Sequence, residues 1–315
     1  MNPAATRVVF MGSPAFAVPS LRALASAGYE ITAVVTQPDR PAGRGGKLTP
    51  PEVKVAALEL DLPVLQPETL KDEAVRTHLR ACEPHLFVVA AFGKILSTPV
   101  LQIPSRGCVN VHASLLPRWR GASPIAAAIR AGDTEAGVSI MEMVREMDAG
   151  PVIASAAIPV AADDTTGSLE ARLAELGAAE LVRVLPAWFE GAIAAEPQDP
   201  AQVTFCGLIR KEDGQLRDEM TAAAAERAIR ACDPWPGAFV GYRDQRLGIW
   251  RAHVEPLPGE LETGAFTVAG RRPAIAFPDG LLVLDEVQRT GAKRLPGDAF
   301  LNGERGQLPL TAGLA

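Results

Sequence analysis

Through the first half of the chain, short apolar runs alternate with stretches in which apolar residues recur every three or four positions. In order these are "RVVFM" from Arg7, "FAVPSLRALASAG" from Phe16, "ITAVVT" from Ile31, "EVKVAALELD" from Glu52, "PVLQ" from Pro63, "AVRTHLRAC" from Ala74 and "LFVVAAFG" from Leu86. Nearly continuous apolar strands interleaved with amphipathic helices predict a mostly parallel sheet covered on both faces. The stretch Asp163–Gly191 keeps helical spacing behind Asp and Thr start signals and predicts one long helix. It is followed by "AAEPQDPAQ", Ala194–Gln202, whose Pro and polar residues have the composition of a linker. Beyond Val203 the pattern changes to short alternating runs, "AFVGYR", "LGIWRAHV", "GAFTVAG", "RPAIAFP" and "GLLVLDEVQ", parted by Gly and Pro turns, which predict a small antiparallel barrel. The expected fold is therefore α/β: a doubly wound, mostly parallel sheet over 1–193, a linker over 194–202 and a β-barrel domain over 203–315. Trp235, in "CDPWPG", is expected to anchor the core of that second domain.

Composition narrows the function classes. The chain has 315 residues, 48% of them hydrophobic, and no apolar run near the roughly 20 residues needed to cross a bilayer. Its N-terminal residues lead straight into "RVVFMG" without a leader pattern, and a cytoplasmic location with no membrane contact is expected. Cys82, Cys108, Cys206 and Cys232 show neither close pairing nor metal spacing with the four histidines, so no disulfide and no metal are expected. A net charge of −6 means that any nucleic-acid contact must come from local patches. "FMGSP" after the first strand lacks G-x-G-x-x-G spacing and argues against a bound dinucleotide.

Open α/β sheets bind ligands beyond the carboxyl ends of their strands, and "CVNVHASLLP" is such an end. Alternation along "VNVHA" points Asn110 and His112 to one side. "SIMEMVREMDAG" ends a second apolar strand in a loop carrying Asp148, which could meet the imidazole and fix its tautomer. An Asn amide can donate to an oxygen that turns negative during acyl transfer, typically worth about 2.7–4 kcal/mol at a preorganised site. With no Ser or Cys in the set, the residues suit direct attack of an amine on a carbonyl. His78, His85 and His253 have no evident partner.

"NVHASLLPRWRGASPI", the downstream "MDAG", the early "TQPDRPAGRGGKL" and "IRACDPWPGAF" together resemble the methionyl-tRNA formyltransferase family of 10-formyltetrahydrofolate-dependent enzymes, over nearly the whole chain. The resemblance implies a Rossmann-like formyltransferase domain followed by an OB-like barrel. It also implies formyl transfer to the α-amine of methionyl initiator tRNA for translation initiation, with 10-formyltetrahydrofolate as co-substrate. It assigns catalysis to Asn110, His112 and Asp148, and folate contact to Ser114, Leu115, Leu116 and Pro117, with Leu115 and Leu116 as walls and free backbone groups of the irregular run meeting the pterin. Arg40, Arg44 and Lys47 in the Pro- and Gly-rich loop would enter the acceptor end of the tRNA, Arg44 being the key basic position, while Arg210 and Lys211 in "IRKEDG" match a second tRNA contact. That loop is expected to form neither helix nor strand. The chain departs from the family pattern at three places: Ala15 and Ala113 replace a usual acidic residue and a frequent Gly, and "LRD", Leu216–Asp218, stands where an acidic residue and Trp are common. An amino-sugar formyltransferase would share Asn110, His112 and Asp148 but has no need of the basic loop. A non-catalytic tRNA- or folate-binding module would not need the intact trio. A monomer is expected.

Overall fold

A computed structural model describes residues 3–42, 46–305 and 307–315. The strands are β1 (Arg7–Gly12), β2 (Glu30–Val35), β3 (Arg40–Ala42), β4 (Lys47–Thr49), β5 (Val64–Leu65), β6 (Leu86–Ala90), β7 (Cys108–His112), β8 (Arg120–Gly121), β9 (Glu135–Glu142), β10 (Val152–Pro159), β11 (Phe205–Cys206), β12 (Ala238–Tyr242), β13 (Gln245–Glu255), β14 (Phe266–Ala269), β15 (Arg272–Phe277), β16 (Gly280–Arg289) and β17 (Arg294–Pro296). The helices are α1 (Val18–Ser26), α2 (Glu52–Glu59), α3 (Glu73–Ala81), α4 (Thr98–Leu101), α5 (Pro124–Ala131), α6 (Thr166–Phe189), α7 (Ala222–Ala231) and α8 (Gly297–Gly303). Contacts divide the chain into two compact units, the first comprising 1–124, 135–159 and 170–206, the second 125–134, 160–169 and 207–315.

The first unit is built on a seven-stranded sheet in the order β10-β9-β7-β6-β1-β2-β5. Its core strands β1, β6 and β7 are buried almost throughout, as an apolar run covered on both faces must be. The pairs β1–β2, β1–β6, β2–β5 and β6–β7 are parallel, whereas β7–β9 and β9–β10 are antiparallel. The polarity of the sheet thus reverses at β7, the strand that carries Asn110 and His112. Helix α6 passes close over this region. A Cβ placed on Gly177 would stand 2.7 Å from a methyl of Val111, so only glycine permits the approach.

The loop read as neither helix nor strand forms an antiparallel ribbon instead, with Arg40 opposite Thr49, Pro41 opposite Leu48 and Ala42 opposite Lys47. A two-stranded ribbon has an unpaired outer edge, where the missing N–H of Pro41 costs nothing.

In the second unit the antiparallel strands run β12-β13-β16-β15-β14, with β17 beside β16. Residues 310–313 then bridge the two edges: Gly241 and Gly313 exchange N–H···O bonds of 2.8 and 2.9 Å, and Phe266 N–H donates to Leu310 O at 3.1 Å. The sheet is closed in this way around Val240, Ile249, Ile275, Phe277, Leu282 and Phe300. The helix α7, capped by Thr221 accepting from Ala224 N–H at 3.0 Å, adds Ala225, Ala228 and Ile229 to the same core. Trp235 is not an anchor: it is 53% exposed, at the tip of a turn closed by Gly237 N–H donating to Cys232 O, and Cys232 is the residue buried there.

Phe277 is buried to 1% exposure in this core, and Phe277→Ala leaves a cavity the closed sheet cannot collapse. The expected cost is about 3–5 kcal/mol, read as a lowered midpoint in urea unfolding followed by tryptophan fluorescence.

Candidate functional site

Strand β7 sets Asn110 opposite Val89 of β6 and Met141 of β9, and His112 opposite Ser139 of β9. Both side chains are buried, Asn110 to 9% and His112 to 6% exposure. A polar group so placed needs a partner or a ligand. Among the described residues the Asn110 amide meets no hydrogen-bonding group, so its donors are available to a bound molecule. His112 is held instead. Its Nε2 lies 3.1 Å from Trp119 O. A carbonyl oxygen only accepts, so Nε2 carries a proton, and Nδ1 is the nitrogen at which the ring can gain or lose one. That nitrogen faces Asp148 Oδ1 at 3.8 Å, inside ion-pair reach and too long for a hydrogen bond. The structure therefore brings His112 and Asp148 together.

Asp148 sits in a left-handed conformation, φ +50°, in the β9–β10 turn. Its Oδ2 accepts the Gly121 N–H at 2.8 Å, which leaves Oδ1 turned to the imidazole. Gly121 is itself constrained: its φ is +124°, and a Cβ there would lie 2.0 Å from Cys206 O. Two groups that sequence reasoning missed complete the arrangement. Gln198 donates from Nε2 to Asp148 O at 2.8 Å and to Gly150 O at 2.7 Å, while its Oε1 accepts from Arg120 Nε and Nη2 at 3.0 and 2.8 Å. Thr204 Oγ1 accepts from Trp119 N–H at 2.9 Å, beside the short parallel pairing of β8 with β11. Gln198 falls in the polar, proline-rich stretch after α6, where composition carries no signal of a specific contact.

The run Ser114–Pro117 is rigid rather than open. Ser114 Oγ donates to Arg118 O at 2.6 Å, Arg118 N–H to Leu115 O at 3.1 Å, and Thr204 N–H to Pro117 O at 3.3 Å. Ser139, buried in β9, donates to Ser114 O at 2.8 Å and accepts from Leu116 N–H at 3.0 Å. Leu116 N–H and the carbonyls of Ser114, Leu115 and Pro117 are thus engaged within the protein. A single serine in the apolar run "AGVSIME" was the one sequence signal for this role. Half-buried Leu115, Leu116 and Pro117 present apolar surface on that frame.

The family model described as formyl transferase matches residues 6–185, and that of the formyl transferase C-terminal domain matches residues 208–305. A curated relative, the methionyl-tRNA formyltransferase of Chloroflexus aggregans, is 47% identical over 94% of this chain and 97% of its own. The chain belongs to the methionyl-tRNA formyltransferase family. The enzyme of that name from Methylococcus capsulatus is 46% identical over 94% of this chain and 96% of its own. The fold is shared with HypX from Aquifex aeolicus, solved in complex with tetrahydrofolic acid, at a TM-score of 0.62 and 16% identity; the match covers 94% of this chain and 46% of the HypX chain, so this chain spans about half of HypX.

In this member of the formyltransferase family the β3–β4 ribbon exposes Arg40 and Lys47, and Arg44 lies outside the described residues. The one acid of the ribbon segment is neutralised locally: Asp39 pairs with Lys54 at 2.8 Å and accepts from Gln66 at 2.7 Å. Arg210 and Lys211, in the second unit, are exposed at a short 3-10 turn where Arg210 N–H donates to Asp213 Oδ2 at 2.6 Å. Two histidines thought unpartnered are engaged. His85 Nδ1 accepts from Arg7 N–H at 2.9 Å, and His253 lies between Asp285 at 2.8 Å and Glu255 at 3.3 Å, contacts that raise its pKa, Asp285 most. Among the described residues no group of three or more His, Cys, Asp or Glu side chains could hold a metal ion, and no helix is long and apolar enough to cross a membrane. Burial pushes the Cys108 thiol up to about 12, which removes it as a nucleophile at neutral pH.

The Lys54 ammonium and the Gln66 amide hold the Asp39 carboxyl below its ordinary value. A depressed carboxyl contributes stability above its unfolded-state pKa and loses it as pH falls through the folded value. Lys54→Ala is expected to return the Asp39 titration, followed by carboxyl-carbon NMR, toward the ordinary aspartate range; an unmoved midpoint counts against the pairing.

Proposed function

We propose that the chain transfers the formyl group of 10-formyltetrahydrofolate to the α-amine of methionyl initiator tRNA, giving N-formylmethionyl-tRNA. The observation that carries this reading is His112, whose Nε2–H meets Trp119 O and whose Nδ1 faces Asp148, on the strand that also holds the unpartnered amide of Asn110. The near-complete coverage by methionyl-tRNA formyltransferases supports the choice of acceptor.

In this reading Asn110 donates to the formyl oxygen as it becomes negative in the tetrahedral intermediate. The new bond joins the methionyl nitrogen to the formyl carbon, and the bond that breaks is that carbon's bond to the folate's anilinic nitrogen. His112 takes the proton that the attacking amine sheds, at Nδ1, and returns one to the departing nitrogen. Asp148, 3.8 Å away, offsets the imidazolium formed in between. The apolar surface of Leu115, Leu116 and Pro117, on the frame set by Ser114 and Ser139, suits one face of the folate. Residues 1–193 would carry the catalytic trio and 203–315 the tRNA body, with 194–202 between them; Gln198 and Thr204 reach back from beyond 193 to hold the loops beside the trio. Arg40, Arg44 and Lys47 would engage phosphates at the acceptor end, and Arg210 and Lys211 a second stretch of the tRNA backbone. The four cysteines are free, which suits the cytoplasm, and the reading requires only a monomer.

His112→Ala, Asp148→Asn and Asn110→Ala should each lower turnover by about 10²- to 10⁴-fold, with folding and tRNA affinity kept, in an assay following labelled formyl from 10-formyltetrahydrofolate onto methionyl-tRNA. A loss under about fivefold would remove that residue from the mechanism. Arg44→Ala should raise the Michaelis constant for tRNA without weakening folate binding measured by calorimetry. Equal loss of folate affinity would count against the ribbon as a tRNA contact.

A further inference from the structure

Asp148 can serve His112 only if the turn that carries it is held, and that turn has an unfavourable backbone. The residue is left-handed at φ +50°, and its carboxylate is aimed by a single N–H, that of Gly121. Two carbonyls of the turn, Asp148 O and Gly150 O, both face one side-chain amide, that of Gln198, at 2.8 and 2.7 Å. The orientation of this amide is dictated by its neighbours. Carbonyls only accept and a guanidinium only donates, so the NH₂ must face the turn and Oε1 must face Arg120, which reaches it from two nitrogens. Arg120 in turn precedes Gly121 in β8, and the Gly121 N–H holds the carboxylate. A closed circuit results: Arg120 fixes Gln198, Gln198 fixes the turn, and Gly121, beside Arg120, fixes the head of Asp148.

We infer that Gln198 is a positioning residue that keeps Asp148 at its distance from His112 during formyl transfer. The inference rests on the reading of Asp148 as part of the reaction. The position demands one acceptor and two donors at fixed spacing, and among the side chains of this length only glutamine has both. Glutamate keeps the shape and the acceptor for Arg120 but presents an ionised oxygen to two carbonyls. Gln198→Glu therefore removes the two bonds to the turn without removing volume.

The test uses the full chain in steady-state formyl transfer, with Gln198→Glu, Gln198→Ala, Asp148→Asn and the double variant Asp148→Asn/Gln198→Glu. Displacing a reacting group by an ångström costs on the order of 100-fold in rate. Either Gln198 variant is accordingly expected to lower kcat by about 10- to 100-fold, while the KM for folate and for tRNA each stay within about twofold. Because the residue acts through Asp148, adding Gln198→Glu to Asp148→Asn should change kcat by less than about twofold further, since effects of groups acting as a unit do not add. A merely structural role would multiply the two losses. The proposal is overturned if Gln198→Glu keeps kcat within about twofold of wild type, if its loss appears in KM alone, or if the losses multiply in the double variant. Should Gln198→Ala fail to fold, the Gln198→Glu result decides. Full activity of Asp148→Asn would bring down the role of Asp148 itself, and this inference with it, whereas an inactive Asp148→Asn beside an active Gln198→Glu would bring down this inference alone.

Discussion

His112 is buried to 6% exposure, and an imidazole in that position needs something to meet each of its nitrogens. One is met by Trp119 O and the other faces a carboxylate 3.8 Å away. Much of the surrounding backbone exists to supply those two groups. Trp119 can present its carbonyl inward because its own N–H is tied to Thr204 and its neighbour Arg120 pairs with Thr204 O at 2.9 Å. Asp148 can present its carboxylate because Gly121 holds one oxygen and Gln198 holds the turn. The histidine thus sits between two irregular segments, residues 117–121 and 143–151, each pinned by residues 198–206. The sheet supplies rigidity and the loops supply direction, a division seen wherever function is placed on loops over a fixed scaffold.

The acidic total of the chain does not stand in the way of an anionic partner. In the ribbon segment Asp39, next to Arg40, is already paired with Lys54, while Arg40 and Lys47 stand exposed. Local pairing of this kind lets a net-negative protein offer a positive edge, and the attraction is short in range at physiological salt, about 8 Å.

How much of this was legible in the sequence depended on whether a residue's role is repeated or singular. Val8–Met11 and Leu86–Ala90 are strands because several adjacent residues say so together, and Asn110 and His112 share a face because alternation requires it. The barrel strands were legible for the same reason, while its closure by residues 310–313 was not, since two glycines meeting across a gap leave no periodic trace. Trp235 is exposed although large and apolar, because the geometry of its turn and not its size sets its burial. Pro41 misled because proline excludes a strand from a sheet interior but not from a ribbon edge. Gln198, Thr204 and Ser139 act through single hydrogen bonds to distant backbone, and nothing in their immediate sequence marks them.

The contacts that finish the site join residues far apart in the chain: Trp119 and Thr204 are separated by 85 positions, and Arg120 and Gln198 by 78. The central sheet closes a span of the same length where Val8 meets Leu86, but it does so with five paired positions in each strand, against two in the β8–β11 ladder. With similar closure entropy and fewer paired residues, local opening costs less at the short ladder than in the sheet. Parting β8 from β11 would release Trp119 O and leave the β6–β7 pairing, with Asn110 in register, untouched.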